Sequence, residues 1–223
     1  MRFLMAFCAA TMLLGGAATA QETTMTGPEE TYDLLFRDGT LDDLPRDETL
    51  VYDRTVASTL TPDAEARDTG KIELTFEAGE PEAARLRFTQ GERFKGIGEF
   101  PASVGNPIIM YFVETVVRDM AEAAGGSNFY IRNRVKAALV EPAEIETRDV
   151  TLGDETVEAR SVTLHPFEGD PNADKMQGFD RMALTVTMSE EVPGWYATLD
   201  ATVPAADGDV PIYSSTITLE PGE

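Results

Sequence analysis

Gly105–Glu141 reads GNPIIMYFVETVVRDMAEAAGGSNFYIRNRVKAALVE, and it is the one long stretch with a helical rhythm. Asn106-Pro107 is a helix start: Asn satisfies free backbone N–H groups, and Pro fits a first turn that needs no N–H of its own. Beyond it Ile109, Phe112, Val113, Val116, Val117 and Met120 recur at spacings of three and four. Glu114, Thr115, Arg118, Asp119 and Glu122 fall on the opposite arc. Ile108, Met110 and Ala121 widen the apolar face, so one side of this helix is expected to be deeply packed. Gly125-Gly126 supplies the left-handed exit. Ser127 caps a second helix with an apolar stripe of Ile131, Val135, Ala138 and Leu139, and Pro142 stops it. The spacing therefore predicts a helical hairpin over 106–141.

Outward from this hairpin the rhythm changes to two. Ile72, Leu74 and Phe76 alternate with Lys71, Glu73, Thr75 and Glu77. Similar alternation marks strands over 50–58, 85–89 and 93–100, the last broken by Gly96 and Gly98, where a bend or bulge is expected. After the hairpin, strands are expected over 145–152 and 156–165, joined at Gly153-Asp154-Glu155. Three more follow over 182–188, 195–203 and 210–219. None is apolar on both faces, which disfavours a parallel sheet between helix layers. The expected fold is mainly β within the α+β class: one curved antiparallel sheet or incomplete barrel of about nine strands, covered by the helical hairpin. A two-sheet sandwich with an added helical pair is the competing arrangement.

Met1 to Ala20 has the form of a secretory signal. Arg2 is basic, Phe3 to Leu14 is apolar but too short to span a bilayer, and Ala18-Thr19-Ala20 is a small-residue cleavage site. Cleavage near Ala20 would leave a polar, flexible segment over 21–30 and a single domain over 31–223, in the periplasm or outside the cell. The sole cysteine, Cys8, would leave with the signal, removing disulfide, thiolate and cysteine-nucleophile chemistry. The chain carries 40 acidic against 18 basic residues, a formal net charge of −22. That balance excludes nucleic acid as a partner, because phosphate binding needs neutralising Lys and Arg. It suits solubility in a salty exterior, or a basic protein partner. No stable membrane anchor is expected.

Catalytic motifs are missing. His165, the only histidine, lies four residues from Ser161 on an extended strand, about 13 Å away, too far for a nucleophile–base pair. There is no Gly-x-Ser-x-Gly or Ser-x-x-Lys. One His without Cys makes a poor zinc set. Asp170 to Asp174 alternates acids as calcium loops do, but Lys175 and Arg181 stand at the positions that need Gly and Glu, so a solvated acidic loop is expected. Gly96-Ile97-Gly98 lacks the third glycine and the following helix of a nucleotide site. No enzyme activity, cofactor or metal is expected. The strongest constellation is Tyr130-Ile131-Arg132-Asn133-Arg134, where two arginines beside an apolar stripe could fork-bind a carboxylate or phosphate head group. The plainer alternative is that both arginines lie over apolar surface and pair with nearby acids. The candidate ligand site is Ile109, Phe112, Val116 and Met120 as apolar lining, with Tyr130, Arg132 and Arg134 at its mouth.

The order of elements (a short N-terminal helix, a strand meander, a helix pair, a second meander) resembles that of periplasmic lipoprotein carriers of the LolA/LolB type. That resemblance implies an incomplete barrel lidded by helices around acyl chains, with no diagnostic motif to carry over individual residues. The segment GNPIIMYFVETVVRDMAEAAGGSNFYIRNR is also similar to one in exported bacterial proteins of uncharacterised function. The expectation is a non-enzymatic protein that binds or carries an apolar or lipid-like ligand between sheet and helices. The alternative is an envelope interaction module with a solid core and an acidic surface.

Overall fold

Ten strands form one open antiparallel sheet in the computed structural model, which describes residues 23–25 and 27–222. The expected signal peptide, Met1 to Ala20, lies outside those residues. In chain order the elements are β1 (Thr23–Met25), α1 (Pro28–Leu35), β2 (Leu50–Ser58), α2 (Ala64–Asp68), β3 (Gly70–Glu77), β4 (Ala83–Gln90) and β5 (Arg93–Pro101). Then come α3 (Ile108–Ala124), α4 (Asn128–Ala138), β6 (Glu144–Leu152), β7 (Glu155–Leu164), β8 (Ala183–Met188), β9 (Tyr196–Val203) and β10 (Tyr213–Leu219). Nine strands match those expected from the sequence. The tenth is β1, which pairs with β6. Together with α1 it gives structure to most of the 21–30 segment that was expected to be flexible.

The sheet order is β1-β6-β7-β8-β9-β10-β2-β3-β4-β5. Two meanders, β2–β5 and β6–β10, are thus sewn together by β10 against β2, with Tyr213 opposite Ser58 and Ile217 opposite Arg54. The chain leaves the first meander at β5, an outer edge, and enters the second at β6, near the other edge. A connection of that reach must cross the face of the sheet, and α3, about 25 Å long at 1.5 Å per residue, does so. Its start is built as the sequence suggests: Asn106 Oδ1 accepts the Ile108 N–H at 3.1 Å. The same Asn106 side chain donates to the Tyr52 hydroxyl and to the Gly194 carbonyl, each at 2.8 Å. Gly194 is required there. Its φ is +71°, and a Cβ would stand 2.6 Å from Leu50 and 2.9 Å from the Asn106 amide.

Ile109, Phe112, Val116 and Met120 pack into a continuous core with Tyr52, Ile72, Leu74, Leu86, Leu199 and Ile217. Exposures of 3, 1, 0 and 2% bury all four of these helix residues. A filled core predicts that Phe112→Ala costs about 3–5 kcal/mol of stability. Urea unfolding followed by circular dichroism measures this, and a loss below about 1 kcal/mol would mean the ring borders empty space instead.

Candidate functional site

β2 alternates Leu50, Tyr52, Arg54 and Val56 toward the core, so its pattern drives one arginine inward with three apolar neighbours. Arg54 is 1% exposed. Burying a guanidinium is costly unless its charge and donors are answered, and the answer comes from α3. Nη2 donates to Asp119 Oδ2 at 3.3 Å and Nη1 to the Tyr111 hydroxyl at 3.2 Å. Nε is buried without an acceptor.

Asp119 is the hub. Its Oδ2 also accepts the Tyr213 hydroxyl at 2.9 Å, and its Oδ1 accepts Arg118 Nε and Nη2 at 2.9 and 2.6 Å. α2 adds a second carboxylate: Asp68 Oδ2 accepts Arg67 Nε and Nη2 at 3.0 and 2.8 Å. Asp68 Oδ1 lies 3.1 Å from Arg118 Nη2 and 3.9 Å from Arg54 Nη1. Arg67 forks onto Glu122 at 2.8 and 2.7 Å. Three guanidiniums (Arg54, Arg67, Arg118) therefore face three carboxylates (Asp68, Asp119, Glu122), and the cluster is neutral as a unit. Burial, then the Asp119 carboxylate, pushes the Tyr213 phenol well above its usual range; burial likewise raises Tyr111. Both phenols stay neutral: Tyr213 donates to Asp119, and Tyr111 accepts from Arg54. Burial opposes the charge on Arg118, but Asp119 and Asp68 outweigh it, and the hydrogen bond from Arg67 holds Glu122 below the ordinary carboxylate range.

This cluster is one wall of a cleft of about 630 Å³ between α2, α3 and the β4–β5 end of the sheet. Phe88, Gln90 and residues 93–97 form the other wall. Pairing register decides which side chains face it. Phe88 stands opposite Ile72 on β3 and opposite Lys95 on β5, and Gln90 stands opposite Arg93. Residues directly opposite in an antiparallel pair share a face, so Arg93 and Lys95 project from the core side of the sheet. Neither has an ion-pair partner among the described residues, whereas Arg54, Arg67 and Arg118 all do. Gln90 Nε2 donates to the Ala66 and Thr69 carbonyls at 3.1 and 2.6 Å, fastening the β4 end to the corner beyond α2. Gly70 is required at that corner, since a Cβ would sit 2.5 Å from the Thr89 carbonyl.

The residues expected to form the site are distributed differently. Ile109, Phe112 and Val116 lie in the core and border none of the clefts described. Met120 and Tyr130 border an apolar recess of about 370 Å³ at the hairpin turn, with Gly125, Gly126, Lys175 and Met176. Arg132 forks onto Glu114 at 2.8 and 2.7 Å. Arg134 Nε lies 2.8 Å from Asp170 Oδ2, and the Tyr130 hydroxyl donates to the same carboxylate at 2.8 Å. Both arginines are thus engaged with acids, as the plainer alternative held. The loop from Asp170 to Asp174 is not uniformly solvated: Asp170 is buried and accepts the Asn172 N–H at 2.8 Å. His165 is an exposed residue just beyond β7, and Ser161 bonds Thr187 instead. No group of three or more His, Cys, Asp or Glu is placed to hold a metal among the described residues, and no helix there is long and apolar enough to cross a membrane.

Sequence reasoning missed the cleft. One signal was present: Arg54 occupies a core-facing position of an otherwise apolar alternation. No protein-family model and no curated protein matches this chain.

Two outcomes follow from this geometry. Asp119→Ala, which strands a buried guanidinium, is expected to cost about 3–5 kcal/mol in urea unfolding, and the double variant Arg54→Met/Asp119→Leu to regain most of it. For Asp170, burial alone would raise the carboxyl pKa, but the Asn172 N–H, Tyr130 and Arg134 outweigh it and hold it below the usual value. A depressed pKa adds stability above the unfolded aspartate value, about 3.9, and that contribution is lost as pH falls through the folded value. The gap in unfolding midpoint between wild type and Asp170→Asn should therefore be full at pH 7 and shrink steadily below about pH 4.

Proposed function

We propose that this protein is an exported, non-enzymatic binding or carrier protein whose ligand is an organic anion with an apolar body. The ligand lies between sheet and helices, in the cleft bordered by α2, α3 and the β4–β5 end. The observation that carries this reading is the pair of free cations Arg93 and Lys95 beside Phe88, Ile97 and Tyr111, in a chain of net charge −22. Lys136, Arg148, Arg160, Lys175 and Arg181 also lack an ion-pair partner among the described residues, but Arg93 and Lys95 share one strand face and border one cleft. The volume lies within the range of small-molecule sites, about 300–1,000 Å³, and the mixture of apolar wall and few charged groups is the usual composition of such sites. Export to the periplasm and the architectural resemblance to LolA/LolB-type carriers belong to the same proposal. Compared with the expectation from sequence, the ligand moves from beneath α3 to its flank.

A second reading, an envelope interaction module that meets a basic partner through its acidic surface, is favoured by the burial of Ile109, Phe112 and Val116 in one continuous apolar core under α3. Native mass spectrometry separates the two. The chain titrated with decyl phosphate is expected to give a one-to-one adduct, and Ile97→Asp to weaken it by about tenfold or more through lost apolar contact and added negative charge. Absence of any adduct, together with salt-sensitive capture of a basic protein, would favour the interaction module.

A further inference from the structure

The charge arrangement around the cleft specifies more than an anion. We infer that the ligand's head group is dianionic, with two negative charges held between Arg93 and Lys95, a phosphate monoester or a compact dicarboxylate. This inference rests on the binding role proposed for the cleft. The reasoning is a charge balance. On the α2–α3 wall Arg54, Arg67 and Arg118 are matched by Asp68, Asp119 and Glu122. That wall needs no external anion. On the sheet wall Arg93 and Lys95 have no ion-pair partner among the described residues, so the cleft holds an uncompensated charge of two.

Their spacing suits one head group. Residues two apart on a strand have Cα atoms about 7 Å apart with side chains on the same face. A guanidinium and an ammonium at that separation can close on one phosphate, Arg forking across two oxygens and Lys meeting the third as a point charge. Phe88, opposite Lys95 on β4, and Ile97 on β5 then lie where an attached chain would run. Asp68 and Glu122, already answered by Arg67 and Arg118, disfavour a bulkier polyanion reaching the far wall.

Inward charges on an edge strand also guard against edge-to-edge pairing, and β5 is an edge. The experiment separates that role from ligand binding. Calorimetric titration at pH 8, where the second ionisation of a phosphate monoester at about pH 6 is complete, compares decyl phosphate, decylsuccinate and the monoanion methyl decyl phosphate. The dianions are expected to bind about tenfold tighter than the monoanion. Arg93→Gln/Lys95→Gln should erase that preference while leaving the thermal unfolding midpoint in place, since both side chains are exposed. The ranking of phosphate against succinate tells which dianion the site suits. Equal affinity for monoanion and dianion would overturn the inference and leave the binding role standing. No binding of any of the three would overturn both. A double variant that binds as the wild type does but dimerises would assign the two cations to edge protection and overturn the inference.

Discussion

A single carboxylate, Asp119, determines how helix and sheet meet. A wide apolar helix face can lie on a curved apolar sheet in many rotations at similar cost. A buried carboxylate that accepts from β2 (Arg54), from β10 (Tyr213) and from its own helix (Arg118) is satisfied in one of them. A turn of α3 by one residue would leave a guanidinium and a carboxylate buried apart, at a cost of several kcal/mol. Apolar burial supplies the attraction, and this charge cluster sets the alignment.

The cleft is a by-product of the same alignment. With α3 held over β2 and β10, the β4–β5 end of the sheet extends past the helix pair. Phe88, Ile97 and Phe100 there remain only partly buried. The cluster uses three arginines in its own neutralisation, so the unpaired positive charge at the cleft comes from the sheet edge. The paired and the unpaired cations therefore come from different elements, although all of them border one space.

Much of the fold was legible in the sequence. Nine strands, the helical hairpin with its Asn-Pro start and Gly-Gly turn, and the bulge near Gly96-Ile97-Gly98 all follow from alternation and turn chemistry. The site was legible only in part, and the bulge is the reason. β5 pairs Lys95 with Phe88 but Gly98 with Leu86, and the register shifts between them. The extra residue inverts the alternation: Gly98 and Phe100 face the core after it, Arg93 and Lys95 before it. Counted backward by twos from Phe100, both cations would point to solvent. Asp119 was hidden for another reason. It falls on the polar arc of α3, and only the neighbouring β2 shows that this arc covers a buried arginine. The apolar face, by contrast, was plain but ambiguous, since filled cores and lined cavities have the same periodicity.

The joining of the two meanders through β10 and β2 constrains when the protein can finish folding. β2 has one neighbour, β3, close in sequence, while its other side is completed only by β10, almost the whole chain later. Until then the first meander presents an open edge at Tyr52 to Ser58, and Arg54 lacks the Tyr213 hydroxyl that shares its carboxylate. Such late, distant pairing slows folding and lengthens the exposure of unpaired strand edges. A chain that must wait for its last strand remains extended longer, and high net negative charge keeps such intermediates apart from one another. The acidity thus protects the protein while it is still incomplete.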